Sequence, residues 1–372
     1  MCEKLSIELP IFAFSHCRDV VVAVSKAGGL GVLGVGFMQV EQLREELDWI
    51  DAHIGDYPYG VDIVIPQNYE GRDNDDLTEA ELEEKLWTMV PSDHLKFASQ
   101  LLSQHRVPEW PDQERPKILG WTMQTVMPCL EEALTRPQCR LIANALGTPP
   151  ASVIRQVKDT GRLIGALCGK RKQALQHKAA GLDFVVAQGT EGGGHTGEIG
   201  SVVLWPDIID AADPLPVLAA GGIGNGRQML AAMSMGAAGV WTGSLWLTVE
   251  EAHAQPAQKA SFLAAGVDDT VRTRAWTGKP ARVLRNAWTD AWDSPETPDP
   301  LPMPLHGLVS ADAMRRTETY AGAGETQAVA MNICGQVIGQ INHVESCRDV
   351  VFRLMTEYVD ALERLNRLTP DA

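Results

Sequence analysis

The sequence lacks the features that define several common classes of protein. In its 372 residues no apolar run approaches the roughly 20 residues needed to span a bilayer, so we expect no membrane-spanning helix. Bases are scarce, because 32 lysines and arginines stand against 48 acids and leave a net charge of −16. This balance disfavours nucleic acid as the main partner, since phosphate binding needs clustered cations. An anionic cofactor remains compatible with it, because backbone dipoles can hold one locally.

Cysteine is also sparse, with seven residues scattered along the chain and no C-x-x-C spacing. The sequence therefore predicts neither a disulfide framework nor a zinc ribbon, and no metal site. Reduced, scattered thiols are typical of a cytoplasmic protein, and the opening segment Met1–Lys4 has no apolar signal region. We expect a cytoplasmic location. The overall share of hydrophobic residues, 45%, is that of an ordinary globular protein.

Short apolar runs alternate with helical stretches, which is typical of βα units around a parallel sheet. Eight runs have the continuous apolar character of strands that are covered on both faces. Eight strands with intervening helices favour an α/β fold of the (β/α)8 TIM barrel type over an open sheet. The predicted strands are Pro10–Phe14, Gly31–Val35, Val61–Ile65, Leu141–Ala145, Leu163–Leu167, Phe184–Ala187, Val217–Ala220 and Val240–Thr242.

An acidic insertion interrupts this alternation after the third strand. Residues 67–116 carry 12 acids and 5 bases. Thr78 and Glu81 have the spacing of a capping box, which predicts a helix over Glu79–Met89. We interpret the segment either as a solvated helical excursion or as a lid over the mouth of the barrel.

The chain after the barrel has a different composition. Residues 295–304 contain five prolines, which predict an extended loop. A final helix from about Ser346 to Leu368 has an apolar stripe that predicts packing on the barrel or on a partner subunit, so a homodimer is one hypothesis. The predicted organisation is a barrel over residues 1–250 and a C-terminal loop and helical subdomain over residues 251–372.

Gly29–Gly34 spells the G-x-G-x-x-G pattern of dinucleotide-binding loops. Such a loop must follow a strand and open a helix. Here the pattern follows the helical stretch Val20–Lys26 and runs into a strand. We therefore interpret it as a tight helix-to-strand turn.

Two other glycine-rich segments end the last two predicted strands. Ala219–Gly226 follows the seventh strand, and Trp241–Ser244 ends the eighth. Barrel enzymes often bind phosphate with these two loops, because glycine lets backbone N–H groups approach the oxygens. Asn225 and Gln228 predict a capped helix start just beyond the first segment. Together the two segments predict a phosphate-binding cup.

The segment Val186–Gly197 follows the sixth strand at the same end of the barrel. Gln188 offers both a donor and an acceptor to the polar edge of a flavin ring. The glycines at 192–194 leave room for a flat ring against the backbone. His195 then projects from a flexible turn, with an imidazole suited to moving a proton.

Four segments of the sequence resemble, in their order and spacing, the signatures of the nitronate monooxygenase family. These segments are Val24–Gly31, Ala187–Gly197, Ala219–Gly224 and Thr242–Ser244. That family was formerly called the 2-nitropropane dioxygenases, and it includes FMN-dependent enoyl reductases. The resemblance covers most of residues 5–250. It implies a (β/α)8 barrel that binds one FMN without a covalent bond.

The resemblance also assigns roles to individual residues. His195 is the expected catalytic residue near the reactive nitrogen of the flavin, where it binds the negative oxygens of the substrate or exchanges a proton. Gln188 and Gly193 are expected at the flavin, and the two glycine loops at its phosphate. The cofactor-binding residues that follow from the resemblance are Phe12, Ala13, Phe14, Asp62, Gln188, Gly193, Gly221, Gly222, Gly243 and Ser244.

Two positions depart from the family pattern. The family's first strand usually ends in Ala-Pro-Met, whereas here Phe14 stands in the place of the methionine. An asparagine that contacts FMN on the family's third strand is replaced by Asp62. A carboxylate there should repel the negative charge of a reduced flavin, unless it carries a proton or turns away. Both departures weaken the transfer of nitronate activity more than that of FMN binding.

Several functions remain open at this point. The first is an FMN-dependent oxidoreductase that oxidises nitronates or similar carbanions with O2. The alternative is an FMN-dependent reductase or dehydrogenase of an unsaturated acyl-CoA thioester. A phosphate-binding barrel without redox chemistry and a flavin protein without turnover are further alternatives. Basic residues that could meet CoA phosphates follow the barrel at Arg272, Arg274, Lys279, Arg282 and Arg285. His16 is a candidate second substrate contact, while a Cys17–His16 nucleophile pair is disfavoured because neighbours in a strand face opposite ways.

Overall fold

The computed structural model describes residues 1–36, 38–65, 78–110 and 122–368. Eight parallel strands close into a barrel in the order β1-β2-β3-β4-β5-β6-β8-β9. All eight predicted barrel strands are confirmed, each with its ends within two residues of the prediction. The strands of the described residues are β1 Ile11–Ser15, β2 Leu30–Gly34, β3 Tyr59–Ile63, β4 Cys139–Asn144, β5 Leu163–Cys168, β6 Phe184–Gln188, β7 Gly194–His195, β8 Val217–Ala220, β9 Gly239–Thr242, β10 Thr270–Thr273 and β11 Ala281–Leu284.

Helices connect the strands and cover the barrel. Both predicted capping boxes are confirmed, at Thr78 with Glu81 and at Asn225 with Gln228. The α-helices of the described residues are α1 Cys2–Leu5, α2 Arg18–Lys26, α3 Val40–Ile54, α4 Glu79–Thr88, α5 Ser92–Gln104, α6 Met123–Leu134, α7 Ala151–Asp159, α8 Arg171–Ala179, α9 Ser201–Ala212, α10 Gly226–Ser234, α11 Pro256–Ala264, α12 Ala287–Trp292, α13 Leu305–Thr319 and α14 Cys347–Leu368. None of them is both long and apolar enough to cross a membrane.

Alternation along each strand divides the apolar residues between two layers. Phe12, Phe184 and Trp241 point into the barrel and fill it together with the smaller aliphatic side chains of the other strands. The intervening residues, such as Ala13 and Val240, face the surrounding helices. The interior of the barrel is therefore a packed core rather than a channel, and only its ends are open to ligands.

The glycine pattern at Gly29–Gly34 is confirmed as a helix-to-strand turn. Strand β2 starts at Leu30, directly after α2 and the turn at Gly28. A Cβ on Gly31 would lie 2.2 Å from the carbonyl oxygen of Val21. Glycine is thus required here because helix and strand approach closely, and the segment opens no helix that could receive a dinucleotide.

The C-terminal region contributes strands as well as helices. β10 and β11 form an antiparallel pair, and β11 also pairs with β7, the short strand that holds His195. The prediction of a flexible turn at His195 is therefore wrong, because this segment is fixed as the edge of a three-stranded sheet. The sequence analysis missed β7, which at two residues is too short to show any periodicity.

The described part of the acidic insertion packs against the C-terminal region. Leu82 and Leu86 of α4 share one buried cluster with Trp288 and Trp292 of α12 and with Leu308 of α13. Helices at 78–110 are therefore anchored rather than free excursions into solvent. Residues 67–77 and 111–116 of the insertion lie outside the described residues. The proline-rich loop predicted at 295–304 is confirmed, since it precedes α13 without a helix or strand.

Candidate active site

The two glycine loops predicted as a phosphate cup lie side by side. Strands β8 and β9 are hydrogen-bonded neighbours, with Ala220 opposite Trp241, so their carboxyl ends open at the same place. Gly221 and Gly222 have φ values of 84° and 72°, a left-handed conformation that glycine adopts without strain. Within the described residues, the backbone N–H groups of Gly221, Gly222, Gly243 and Ser244 have no protein acceptor. Unpaired amides from adjacent loops can bind an oxyanion.

The helix after the first loop adds less to this cup than the sequence suggests. The side chain of Asn225 accepts hydrogen bonds from the N–H groups of Arg227 and Gln228. Glu357 of α14 accepts from Gly226 N–H at 2.8 Å. The start of α10 is therefore already capped by protein groups. The free donors belong to the loop itself and to the short 3-10 turn that starts at Ser244.

The loop after β6 folds back on itself at the same end of the barrel. Gln188 Nε2 donates to the carbonyl oxygen of Gly193 at 3.2 Å, which brings together two residues predicted at the flavin. A Cβ on Gly193 would lie 2.7 Å from the carbonyl carbon of Cys334, so glycine is required there by contact with the C-terminal segment. The Glu191 carboxylate accepts from Ser201 N–H and Oγ and so caps α9.

His195 is held between backbone, hydroxyl and an aromatic ring. Its Nδ1 lies 3.3 Å from the carbonyl oxygen of Pro280, and its Nε2 lies 3.4 Å from Thr277 Oγ1. Because a carbonyl oxygen only accepts, this contact assigns the imidazole proton to Nδ1 and leaves a lone pair on Nε2. The ring stacks on Trp276 with centroids 5.1 Å apart and an interplanar angle of 12°.

The surroundings of His195 favour the neutral imidazole. Burial, together with the positive charge of Lys279, lowers the pKa of His195 to about 4. Surrounding protein also lowers the pKa of the Lys279 ammonium, although solvent still reaches that side chain. At neutral pH the site therefore presents an uncharged base beside a cation. Such a base can accept a proton, but it cannot supply positive charge.

The predicted residues of the first strand occupy three different environments. Phe12 is fully buried inside the barrel, and Ala13 is fully buried on the outer face of the strand. Phe14 is partly exposed at the mouth, where its ring would lie 4.0 Å from a Cβ on Gly243. The structure thus brings Phe14 next to the second glycine loop, whereas the side chains of Phe12 and Ala13 are enclosed by protein.

Asp62 is a buried acid at the carboxyl end of β3. It is 2% exposed, and its Oδ1 has no hydrogen-bond partner within the described residues. It lies opposite Gly34 in the β2–β3 ladder, and the ring of Phe14 would be 2.7 Å from a Cβ on that glycine. Burial raises the pKa of Asp62 to about 7, while a hydrogen bond from the Ala145 backbone acts in the opposite direction. A substantial fraction therefore carries a proton at neutral pH.

His16 is at the mouth of the barrel, in the loop that follows β1. Its Nδ1 donates to the carbonyl oxygen of Gly34 at 2.8 Å, and its ring meets Phe14 edge-on with centroids 5.1 Å apart. Surrounding protein lowers the pKa of His16, although the residue is exposed to solvent. A neutral His16 with its Nδ1 proton engaged keeps a free lone pair on Nε2, so it remains a candidate second contact for a substrate.

Cys17 is placed differently from His16. Its thiol donates to the carbonyl oxygen of Glu251 at 3.2 Å, and burial raises the pKa of this thiol. Asp19 and His253 bring a carboxylate and an imidazole within 4.8 Å of the sulfur, a grouping that could hold a cation. However, Asp19 and His253 already pair with each other at 2.8 Å. Each potential ligand therefore has a protein partner.

Sequence reasoning missed Trp276 and Thr277 as neighbours of the candidate catalytic imidazole. Both belong to the segment Thr273–Arg285, about 80 residues beyond His195. Neither spacing nor periodicity relates it to His195, because the connection is made only by the pairing of β7 with β11.

Comparisons with known proteins define the class of this protein. The sequence model of the nitronate monooxygenase family matches residues 3–357. The chain therefore belongs to that family and is an oxidoreductase. The family expected from the four sequence segments is confirmed, as is the (β/α)8 barrel.

Individual relatives span nearly the whole chain. Rv1533 of Mycobacterium tuberculosis, which carries the name of a monooxygenase, is 44% identical and covers 99% of this chain and 98% of its own. A protein of Staphylococcus aureus named as a probable nitronate monooxygenase is 28% identical and covers 92% and 97%. Among solved structures, nitroalkane oxidase from Streptomyces ansochromogenes shares the fold with a TM-score of 0.79 at 23% identity, over 96% and 98% of the two chains. FabK from Thermotoga maritima shares it with a TM-score of 0.73 at 24% identity, over 99% and 98%.

Proposed function

We propose that this protein is an FMN-dependent oxidoreductase that oxidises nitronates or similar carbanionic substrates with O2. The observation that carries the proposal is the set of unpaired backbone N–H groups at the ends of β8 and β9. Four donors on two adjacent loops match the terminal phosphate of FMN, which is doubly charged and rich in acceptors. The rest of the mouth carries the side chains expected around a flavin ring.

In this proposal the residues that would hold the cofactor lie between the phosphate cup and His195. The phosphate would be held by Gly221, Gly222, Gly243 and Ser244. Gln188 and Gly193 meet the polar edge of the ring, and Gln188 Oε1 is still free of a protein donor in the described residues. FMN supplies the electron transfer between substrate and O2, which no protein side chain provides.

The first strand and β3 line the cofactor from the other side. Phe14 presents its ring at the mouth, in the place that a methionine takes in the family. Phe12 and Ala13 have enclosed side chains, so they meet the cofactor only through their main chain. Asp62, when protonated, can donate a hydrogen bond where a carboxylate would repel a reduced ring.

His195 acts on the substrate as a neutral group. Its Nε2 lone pair can accept a proton from a carbon acid or a hydrogen bond from a substrate donor. Trp276 and Pro280 fix the plane and the tautomer of the imidazole, so that Nε2 keeps one orientation. Orientation of a base in this way contributes to rate because no reorganisation is needed during the reaction.

The alternative function, reduction of an unsaturated acyl-CoA thioester, has weaker support. It was based on a cluster of cations after the barrel that could meet CoA phosphates. Four of those five cations have protein partners, for example Arg272 with Glu198 and Arg285 with Asp290. These arginines are therefore already engaged by protein groups rather than free to bind CoA phosphates.

An anaerobic screen of flavin reduction tests the proposal. The protein as purified should be yellow, with about one FMN per chain, and a nitronate should bleach it in the absence of O2. Bleaching by NAD(P)H followed by reoxidation with an enoyl-CoA would favour the alternative. A colourless protein that takes up no FMN would contradict both functions.

A further inference from the structure

Asp62 is an acid on the inner face of the barrel. Val61 and Ile63, its neighbours on β3, pack with the surrounding helices α3 and α6. Because side chains alternate along a strand, Gly60 and Asp62 face the interior. A Cβ on Gly60 would lie 3.0 Å from Leu141, which belongs to the apolar filling of the barrel. Asp62 is the next inward position, and it therefore stands one layer nearer the mouth.

The strands on either side of Asp62 offer its carboxyl group no polar side chain. In the sheet it lies between Gly34 of β2 and Ala143 of β4. The ring of Phe14 takes the space over that glycine, since it lies 2.7 Å from a Cβ placed there. Asp62 is 2% exposed, and its Oδ1 has no hydrogen-bond partner within the described residues. This oxygen is therefore enclosed at the mouth without a partner from β1, β2 or β4.

An enclosed carboxylate without a partner is unfavourable, and a proton relieves it. Burial accordingly raises the pKa of Asp62 to about 7. The neighbouring positions on β1, β2 and β4 are Phe14, Gly34 and Ala143, none of which titrates. His16 is the titratable group held at Gly34, and surrounding protein lowers its pKa, so it stays neutral above pH 7.

A protonated carboxyl group resembles a carboxamide in its hydrogen bonding. Its O–H donates and its carbonyl oxygen accepts, as the NH2 and carbonyl groups of asparagine do. The family pattern has asparagine at this position, so Asp62 can take over its contact with the flavin only while it keeps the proton. The polar edge of a flavin ring carries several acceptors and one N–H donor, which can satisfy the enclosed oxygen in either role.

We propose that Asp62 binds the flavin as the neutral acid, so that FMN binding is linked to the uptake of a proton. The inference rests on the cofactor of the proposed function and deepens it. In the flavin-free protein the acid titrates near neutral pH. Contact with the flavin favours the protonated form, so the complex keeps the proton to higher pH. The affinity for FMN should therefore fall as the pH rises above about 7.

Titration of the flavin-free full chain with FMN between pH 7 and 9, followed by flavin fluorescence, tests this linkage. The phosphate of FMN has a second pKa of about 6, so its charge hardly changes in this range. Asp62→Asn keeps the shape, a donor and an acceptor, but it cannot titrate. Asp56→Asn removes an exposed carboxylate and serves as the control. Circular dichroism establishes that each variant is folded.

The dissociation constant of the wild type should increase by up to about tenfold per pH unit above pH 7, until the complex also loses its proton. Asp62→Asn should vary less than about threefold over the same range and bind FMN more tightly than the wild type at pH 9. Asp56→Asn should follow the wild type. A wild-type affinity that is constant from pH 7 to 9, or an equal pH dependence in Asp62→Asn, would overturn the inference.

Calorimetry at pH 8 in two buffers of different ionisation enthalpy counts the protons directly. Most flavin-free wild type is ionised at Asp62 at this pH, so it should take up about 0.5 to 1 proton per FMN. Asp62→Asn should take up close to none, and equal uptake in both proteins would contradict the linkage.

These measurements need no turnover, so they separate the inference from the proposed function. A wild type that shows the linkage but oxidises no nitronate would uphold the role of Asp62 and contradict the proposed function. A nitronate oxidase whose FMN affinity ignores pH would contradict the role of Asp62 alone. A protein that binds no FMN at any pH would contradict both.

Discussion

At the scale of single residues, burial decides the protonation state of the groups at the barrel mouth. A histidine is ordinarily charged at low pH, and an aspartate is ordinarily charged at higher pH. Desolvation makes the neutral form of both His195 and Asp62 more favourable. Lys279 remains the cation among them. The mouth of the barrel therefore presents a neutral base and a partly protonated acid at neutral pH.

The role of His195 leads to a prediction about pH. Below about pH 5 its imidazole becomes protonated and can no longer accept a proton, so kcat/KM should fall with a midpoint near pH 4. His195→Ala should keep FMN and lose about 10²- to 10⁴-fold in kcat, and it should lose this acidic limb. The measurement is kcat/KM between pH 4 and 8, with flavin content recorded at each point. His343→Ala, at an exposed histidine, is the control. Unchanged turnover in His195→Ala would remove its catalytic role.

Asp62 leads to a prediction about stability. Its pKa is raised from 3.8 to about 7 in the folded state, so the unfolded chain releases the proton first as pH rises. Relative to Asp62→Asn, the wild type should therefore lose stability between about pH 4 and pH 7 and change little above pH 8. At about 1.4 kcal/mol per pKa unit, the difference in unfolding free energy amounts to a few kcal/mol.

Urea unfolding of the flavin-free protein at pH 4.5, 6 and 7.5 measures this difference. Asp56→Asn, at an exposed carboxylate, gives the control, and its stability relative to the wild type should vary far less with pH. A wild type that gains stability over Asp62→Asn as pH rises would show that Asp62 is paired when ionised.

At the scale of elements, the site is assembled from loops that follow three barrel strands and from one strand of a separate sheet. The loops after β8 and β9 supply backbone donors, and the loop after β6 supplies Gln188. β7 adds His195, positioned by its pairing with β11. Loops that follow barrel strands directly can hold amides and side chains in fixed places, which is what preorganised binding needs.

The glycine cup can be tested by a single charged substitution. Gly222→Asp should expel FMN, because its carboxylate would stand where the phosphate is bound. A backbone φ of 72° also strains any side chain there, so the control must carry the same strain. Gly161→Asp provides it, since Gly161 has φ of 77° and open space around its Cβ position. The measured quantity is FMN per chain after gel filtration. Full flavin in Gly222→Asp would refute the phosphate assignment.

The elements of the barrel and the elements of the site differ in how well the sequence predicts them. Continuous apolar strands and the capping boxes at Thr78 and Asn225 leave local signals, and both are confirmed. The glycine segments also indicated where the mouth is. The partners of His195 could not be predicted, because Trp276 and Pro280 reach it through a pairing between strands of two and four residues that are far apart in sequence. Only the contact between His195 Nδ1 and the Pro280 carbonyl oxygen shows that Nε2 is the nitrogen with the lone pair.

At the scale of the whole molecule, the chain is joined across the predicted boundary at residue 250. α14 covers α10 and reaches Gly226 through Glu357, while α12 and α13 share a buried cluster with the insertion helices α4 and α5. The division into a barrel and a C-terminal region stays a prediction. The shared clusters indicate that both parts should unfold together.

Leu86 tests that cooperativity. It is nearly fully buried between α4 and the C-terminal helices, so Leu86→Ala should lower the unfolding free energy by roughly 2 to 5 kcal/mol. Leu175→Ala, at an exposed leucine on α8, should cost less than about 1 kcal/mol. Denaturation followed by far-ultraviolet circular dichroism and by tryptophan fluorescence should shift as one transition. Separate transitions by the two probes would show that the insertion and the barrel unfold independently.

The pairing of β7 with β11 has a consequence for how the enzyme matures on the ribosome. All eight strands of the barrel have emerged once residue 242 has left the exit tunnel. At that point His195 still lacks Ala281, the strand partner that fixes its backbone. A nascent chain halted between these points would contain all eight barrel strands but neither strand β11 nor the C-terminal residues that complete the core. The backbone of His195 is therefore positioned only during the last third of translation.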